Sequence, residues 1–200
     1  MTALITAIVV SYIIGSIPTS IIVARLLRGI DIREYGSGNA GGTNTVRVLG
    51  WKPGLFVSAI DVLKGIVPVL WIAPLVPETL SLDPRTIALM AGCAAIAGHI
   101  WTVFAGFRGG KGVATGAGVL LILYPHTFFI CLIVFVAVLL VSRVVAVASI
   151  SAALAFPAAL TVFRFVLDRP VPDPLYYFGF AVAVLIVFTH RSNIRRLLTK

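Results

Sequence analysis

Long apolar runs alternate with short polar stretches along the whole chain. They lie at about residues 3–26, 54–75, 86–104, 113–141, 144–167 and 175–189. A helix crossing ~30 Å of hydrocarbon needs ~20 mostly apolar residues, so most of these runs are of membrane-spanning length. Pro18, flanked by Ser16, Thr19 and Ser20, predicts a bend in the first. Tyr124, Pro125 and His126 interrupt the run at 113–141, which is therefore either one kinked helix or two shorter ones, giving six spans or seven.

The basic residues favour seven, because Lys and Arg gather on the cytosolic side of membrane proteins. With seven spans the cytosolic face carries Arg25, Arg28, Arg33, Arg47, Lys52, Arg108, Lys111, Arg143, Arg191, Arg195, Arg196 and Lys200, against Arg85, Arg164 and Arg169 outside. With six, Arg143 and the carboxyl-terminal cluster move outside and the bias nearly vanishes. No basic residue precedes the first run and several follow it, the reverse of a secretory signal. The expectation is an all-α integral membrane protein, one polytopic domain over 1–200. It has seven transmembrane helices, some short or kinked, an outside amino terminus and a cytosolic carboxyl terminus.

Composition agrees: 60% of residues are apolar, 12% are charged, and mean hydropathy is +1.08. The formal charge of +9 does not point to nucleic acid, since the cations fall between apolar runs rather than on one soluble face. Cys93 and Cys131 lie inside apolar runs without metal or disulfide spacing and read as small buried packing residues.

Two glycine-dense stretches stand out on the expected cytosolic side, GSGNAGGTNTVRVLG at 36–50 and GFRGGKG at 106–112. Glycine lets backbone amides approach and converge on an anion. The first supplies Gly36, Ser37, Gly38, Asn39, Gly41, Thr43, Asn44 and Arg47; the second supplies Arg108, Gly109, Gly110, Lys111 and Gly112. The literal G-x-G-x-x-G follows a membrane-length run instead of a strand, which removes the dinucleotide-fold reading. The second stretch lacks the Walker spacing. Lys111 precedes a run that opens a helix, where amides and dipole both favour phosphate, although Arg108 and Lys111 also serve as plain topology signals. Arg143 and Ser149 are expected at the same level, as are His190 and Asn193, which share a face if the tail is helical. Asp61 and Lys64, three apart within a span, and His99 at the end of another are expected to support the site and orient the first loop. No metal-ligating cluster is legible, so neither a metal nor another cofactor is expected. Ser37 has no well-placed acid and histidine behind it, and the His-x-x-x-x-Asp pattern is absent. Phe104, Cys131 and Arg195 occupy the diagnostic places, which disfavours an acyl-enzyme.

GSGNAGGTNTVRVLG, GHIWTVFAGFRGGKGVAT and HRSNIRRLL closely resemble the three signature stretches of the bacterial acyl-phosphate:glycerol-3-phosphate acyltransferases of the PlsY type. DVLKG in the second span and VASI at 147–150 extend the likeness over nearly the whole chain. Thr102 stands where that family usually has proline, and the tail stops at Lys200 where the pattern continues with Gly and Glu. The resemblance implies transfer of a fatty acyl group from acyl phosphate to the 1-hydroxyl of glycerol 3-phosphate, giving lysophosphatidate and phosphate, the first acylation of phospholipid synthesis. It places a monomeric enzyme in the bacterial cell (inner) membrane, its active site facing the cytosol. It implies catalytic roles for Ser37, Arg47, Lys111, His190 and Asn193. The second loop, with Ser149, is expected to hold glycerol 3-phosphate, and the first loop the acyl phosphate head. A transporter of a phosphorylated solute, the competing class, would need polar residues through the spans, whose outer halves here are almost purely aliphatic.

Overall fold

The computed structural model describes residues 1–77 and 80–199; Glu78 and Thr79 of the connector expected outside, and the terminal Lys200, lie outside the described residues. Among the described residues the chain is helical with no strand. The elements are α1 (Thr2–Ser16), α2 (Thr19–Arg28), α3 (Gly42–Leu49), α4 (Trp51–Val67), α5 (Pro84–Ile100), α6 (Val113–Leu123), α7 (Pro125–Ser142), α8 (Val145–Phe165), α9 (Asp173–Thr189) and α10 (Arg191–Leu198). They form two compact units, Met1–Leu123 and Tyr124–Lys200.

Five stretches are long and apolar enough to cross a membrane: Thr2–Arg28, Trp51–Leu75, Pro84–Ala105, Pro125–Ser142 and Val145–Phe165. A sixth arises if α9 and α10, bent by 55°, count as one. The break at Tyr124 divides the fourth apolar run as the six-or-seven question required. Its first half, α6, has 11 residues, about 16 Å of rise and roughly half the hydrocarbon thickness. Length thus supports five to six spans, with α6 a shorter apolar helix.

In the first unit small residues let helices touch backbone to backbone. Gly15 of α1 lies against the Ala95 carbonyl of α5 and Gly98 against that of Tyr12; Gly65 of α4 and Gly118 of α6 meet the Thr115 and Val62 carbonyls. Lipid gives apolar helices no hydrophobic reason to associate, so this close approach supplies the dispersion contact that holds them. Pro18 breaks the first span as expected, and the carbonyls of the broken turn find donors. Thr102 Oγ1 donates to Ser16, Lys64 Nζ to Ile17 at 2.6 Å, and the Thr19 amide to Ile17 at 2.9 Å. Within hydrocarbon an orphan carbonyl costs several kcal/mol, so these three donors make the break tolerable. Pro68 ends the regular part of α4, which continues as a π turn over Pro68–Ile72.

The second unit is an antiparallel α7–α8–α9 array. Arg164 pairs with Asp173 at 2.6 Å, the Thr161 and Tyr176 hydroxyls lie 3.3 Å apart, and the Phe156 and Phe178 rings meet edge to face at 6.0 Å. Cys131 is buried as expected, whereas Cys93 is exposed. The apolar run around Cys93 shows that α5 lies in the membrane but not which side of the helix is covered.

Candidate active site

The first glycine loop is seated on α2 and organised by α3. Ile32 and Ala40 pack on Ile21 and Ala24, which anchors both ends of the loop in an apolar cluster. Between them Asn44, only 1% exposed, spends its carboxamide inside the loop. Its oxygen accepts the Ser37 amide N–H at 2.7 Å, and its NH2 donates to the Ile32 and Tyr35 carbonyls at 3.0 Å each. Asn44 therefore shapes the loop, and the direct phosphate contact expected of it does not suit an amide already used in this way. Gly36 makes the arrangement possible. Its φ is +64, a Cβ there would run into the Asn44 oxygen, and the stem of Arg47 passes 3.3 Å from the same point. Ser37 and Asn39 are half-buried, Gly41 precedes α3, and Thr43 and Arg47 are exposed on α3.

The second loop closes the carboxyl end of α5. The Gly109 and Gly110 amides donate to the Ile100 and His99 carbonyls at 3.0 Å each, satisfying acceptors that a helix end leaves open. These two amides thus serve α5. Gly112 and the half-buried Lys111 lead into α6. The two loops meet at Gly110, where a Cβ would strike His99 Nε2 and stand 2.8 Å from the Ala40 carbonyl of the first loop.

Behind this junction lies a buried ionic group. Lys64 Nζ donates to Asp61 Oδ1 at 2.6 Å as well as to the Ile17 carbonyl, and His99 Nδ1 stands 3.7 Å from the same carboxylate oxygen. Asp61 and Lys64 were expected to orient the first loop; their contacts run instead to the broken span and, through His99, to Gly110 of the second loop. Asp61 supplies a carboxylate beside a histidine that sequence spacing did not reveal.

A cleft of about 290 Å3 opens between the loops, lined by Asp31, Arg33, Glu34, Gly38, Arg108 and Gly109. Arg33 was legible only as a topology signal, yet it ties the cleft together. It pairs with Asp31 at 2.6 Å, and its Nη1 donates to the Ala105 carbonyl at the entry to the second loop at 2.8 Å. The hydrogen bond from Arg33 holds the Asp31 carboxyl well below the usual carboxylate range, at about 2, and raises the Arg33 guanidinium in turn. The one available sequence signal was Asp-x-Arg opening a short turn, since the Asp31 side chain also accepts the Arg33 amide. Lys111, Ser37 and Arg47 do not line this cleft.

In the second unit Arg143 is exposed at the end of α7, and Ser149 is buried near the start of α8. The α8–α9 pairings Arg164–Asp173, Thr161–Tyr176 and Phe156–Phe178 carry Ser149 to about the level of Ile186. Ile186 holds His190: Nδ1 lies 2.8 Å from its carbonyl oxygen. A carbonyl only accepts, so Nδ1 carries a proton and donates in this bond. The Asn193 amide donates to the His190 carbonyl at 2.8 Å. Ser149, His190 and Asn193 thus belong to one end of this unit.

Broken apolar spans and two interlocked glycine loops beside a cleft lined by two guanidiniums and two carboxylates define a multi-pass helical membrane protein. Residues 5–200 match the family model described as glycerol-3-phosphate acyltransferase, and the chain belongs to that family. Relatives named glycerol-3-phosphate acyltransferase include those of Chlorobium phaeobacteroides strain BS1, 47% identical over 100% of this chain and 95% of that protein, and of Chlorobaculum tepidum, 48% identical over 98% and 94%. The chain also resembles crystal structures of PlsY (YgiH), an integral membrane glycerol 3-phosphate acyltransferase. Its glycerol 3-phosphate form gives a TM-score of 0.83 at 35% identity, covering 100% of this chain and 93% of that one. The lysophosphatidic acid form gives 0.80 at the same identity and coverage.

Proposed function

We propose that this protein acylates the 1-hydroxyl of glycerol 3-phosphate, using a fatty acyl phosphate as donor and releasing lysophosphatidate and inorganic phosphate. The observation that carries the reading is the meeting of the two glycine loops at Gly110, which brings two anion-adapted stretches together beside Arg33 and Arg108. Support comes from the similar PlsY structures, whose glycerol 3-phosphate and lysophosphatidic acid forms correspond to substrate and product of such a transfer.

The chemistry needs no acyl-enzyme. The substrate hydroxyl oxygen attacks the acyl carbonyl carbon, the bond from that carbon to the phosphate oxygen breaks, and phosphate leaves with the electron pair. The hydroxyl proton passes to a phosphate oxygen, with His190 the alternative acceptor. An acyl phosphate is a mixed anhydride with a good leaving group, so positioning does most of what is needed. Holding two reactants in attack geometry contributes roughly 7–11 kcal/mol, and an aimed oxyanion donor about 3–4 kcal/mol. In this reading Lys111, Arg108 and Gly112 hold glycerol 3-phosphate, while Ser37, Gly38, Asn39, Gly41, Thr43 and Arg47 address the acyl phosphate. Arg143, Ser149, His190 and Asn193 serve the acceptor's phosphate and hydroxyl. The whole chain acts as one monomeric domain of seven membrane segments, in a bacterial inner membrane with the loops on the cytosolic side.

Purified protein in micelles, given labelled glycerol 3-phosphate, should form lysolipid with palmitoyl phosphate and none with palmitoyl-CoA. Lysolipid from the thioester alone would overturn the donor assignment. Lys111→Ala should lower kcat/KM by at least about a hundredfold, as removal of an aimed cation does, and raise the KM for glycerol 3-phosphate. A rise confined to the KM for the acyl donor would exchange the two pockets.

A further inference from the structure

The elbow between α9 and α10 has a composition that acyl transfer does not require. The two helices bend by 55° at His190. On one side of the bend lies a groove of about 500 Å3 lined by Val187, Phe188, Arg191, Ile194, Arg195 and Leu198. Arg191, Ile194, Arg195 and Leu198 follow the spacing of one helical face, so α10 presents apolar and cationic groups together. Arg191 is held in place: its guanidinium lies 4.5 Å from the Phe188 ring centroid, and Nη1 donates to the Phe188 carbonyl at 3.2 Å. Phe188 is 55% and Leu198 81% exposed, so within this protein the groove is left open. Arg196 adds a third exposed cation, and α10 holds no acidic residue.

We propose that this elbow seats an anionic phospholipid of the surrounding bilayer, its phosphodiester on Arg195 in the groove, with Arg196 adding positive charge beside it, and an acyl chain along Phe188, Ile194 and Leu198. The observations select that partner by chemistry. An apolar floor calls for a chain, arginines at its rim call for a negative headgroup, and the 17-residue apolar helix α9 running directly into the groove brings it to the level where headgroup meets hydrocarbon. A short basic amphipathic helix lies in that layer for the same reasons. The proposal is independent of the acyl-transfer reading, because it uses neither the glycine loops nor any residue given a role in the reaction.

The test is lipid retention by the full chain, purified in mild detergent, offered equal amounts of phosphatidylglycerol and phosphatidylcholine and examined by native mass spectrometry. Wild type should retain phosphatidylglycerol preferentially. Arg195→Gln/Arg196→Gln should lose roughly tenfold or more of that preference, and Arg195→Lys/Arg196→Lys should keep most of it. In nanodiscs the Gln variant should retain acyl-transfer activity, which shows that it is folded. If that variant does not fold, the wild-type preference should still fall as salt rises from 50 to 500 mM. Equal retention of both lipids, an undiminished preference in the Gln variant or one insensitive to salt would overturn the proposal. So would a lipid-independent dimer occupying the elbow.

Discussion

At the residue scale, Asn44 and Gly36 form a unit in which each explains the other. The Asn44 oxygen needs the space that a side chain at 36 would fill, and the backbone at 36 needs a left-handed φ that costs other residues about 1–2 kcal/mol. Gly36→Ala should therefore displace Asn44 from the Ser37 amide, lower stability in micelles by more than about 1 kcal/mol, and slow acyl transfer at least about tenfold. Unchanged kcat with either donor concentration would remove the first loop from the reaction. Arg33 and Asp31 give a pH prediction. Because the folded Asp31 carboxyl is depressed to about 2, below its unfolded value of about 3.9, the pair's contribution is present above pH 4. It is lost as pH falls from about 4 through about 2. Between pH 5 and 9 the pair should not titrate. Arg33→Gln should lower stability equally across that range, as thermal unfolding at several pH values would reveal. Glycine density, Lys111 and Arg47 were legible as residue types. Asn44's inward use was not, because an asparagine in a polar loop reads the same whether it faces a ligand or its own backbone.

At the element scale, the first span, α4 and α5 are joined at one place. Pro18 frees carbonyls in the membrane, and donors from two other helices return to them, Lys64 from α4 and Thr102 just beyond α5. Asp61 accepts from the same ammonium that serves Ile17. Removing one member of such a buried pair strands the other charge. Asp61→Leu should accordingly cost about 3–5 kcal/mol, and Asp61→Leu/Lys64→Met less than that single change, measured by denaturant unfolding in micelles. A double variant at least as unstable as Asp61→Leu would show that the ion pair is itself the source of stability. The break at Pro18, the break at Tyr124 and the approximate ends of the spans were all readable, since proline and apolar run length act locally. The partner of a broken turn was not. Nothing in the neighbours of Thr102 announces that its hydroxyl reaches Ser16, 86 residues away.

At the scale of the whole molecule, helix length and charge distribution bear on the number of crossings. Lengths support five spans or six, while the distribution of Lys and Arg favours seven with the short α6 included. Single cysteines introduced near Met1 and near Thr199 in a Cys93→Ala/Cys131→Ala background should label from opposite sides of the membrane in intact and permeabilised cells. Labelling from the same side would mean an even count and return Arg143 and the tail to the outside. Helices that pack through Gly15, Gly98, Gly65 and Gly118 should tolerate no larger residue there. That is a constraint on the whole first unit, and no stretch of sequence displays it alone.

The sequence by itself determined that the protein lives in a membrane, where its helices begin and break, and which polar stretches are suited to an anion. Hydropathy, proline and glycine each act within a few residues of where they stand, so a linear reading captures them. Only the tertiary structure decided that the two glycine loops touch at Gly110, that Arg33 reaches Ala105, and that Lys64 serves a carbonyl 47 positions away. The last two contacts satisfy backbone carbonyls that their own segments leave open, and which donor answers which acceptor depends on how the helices pack in space.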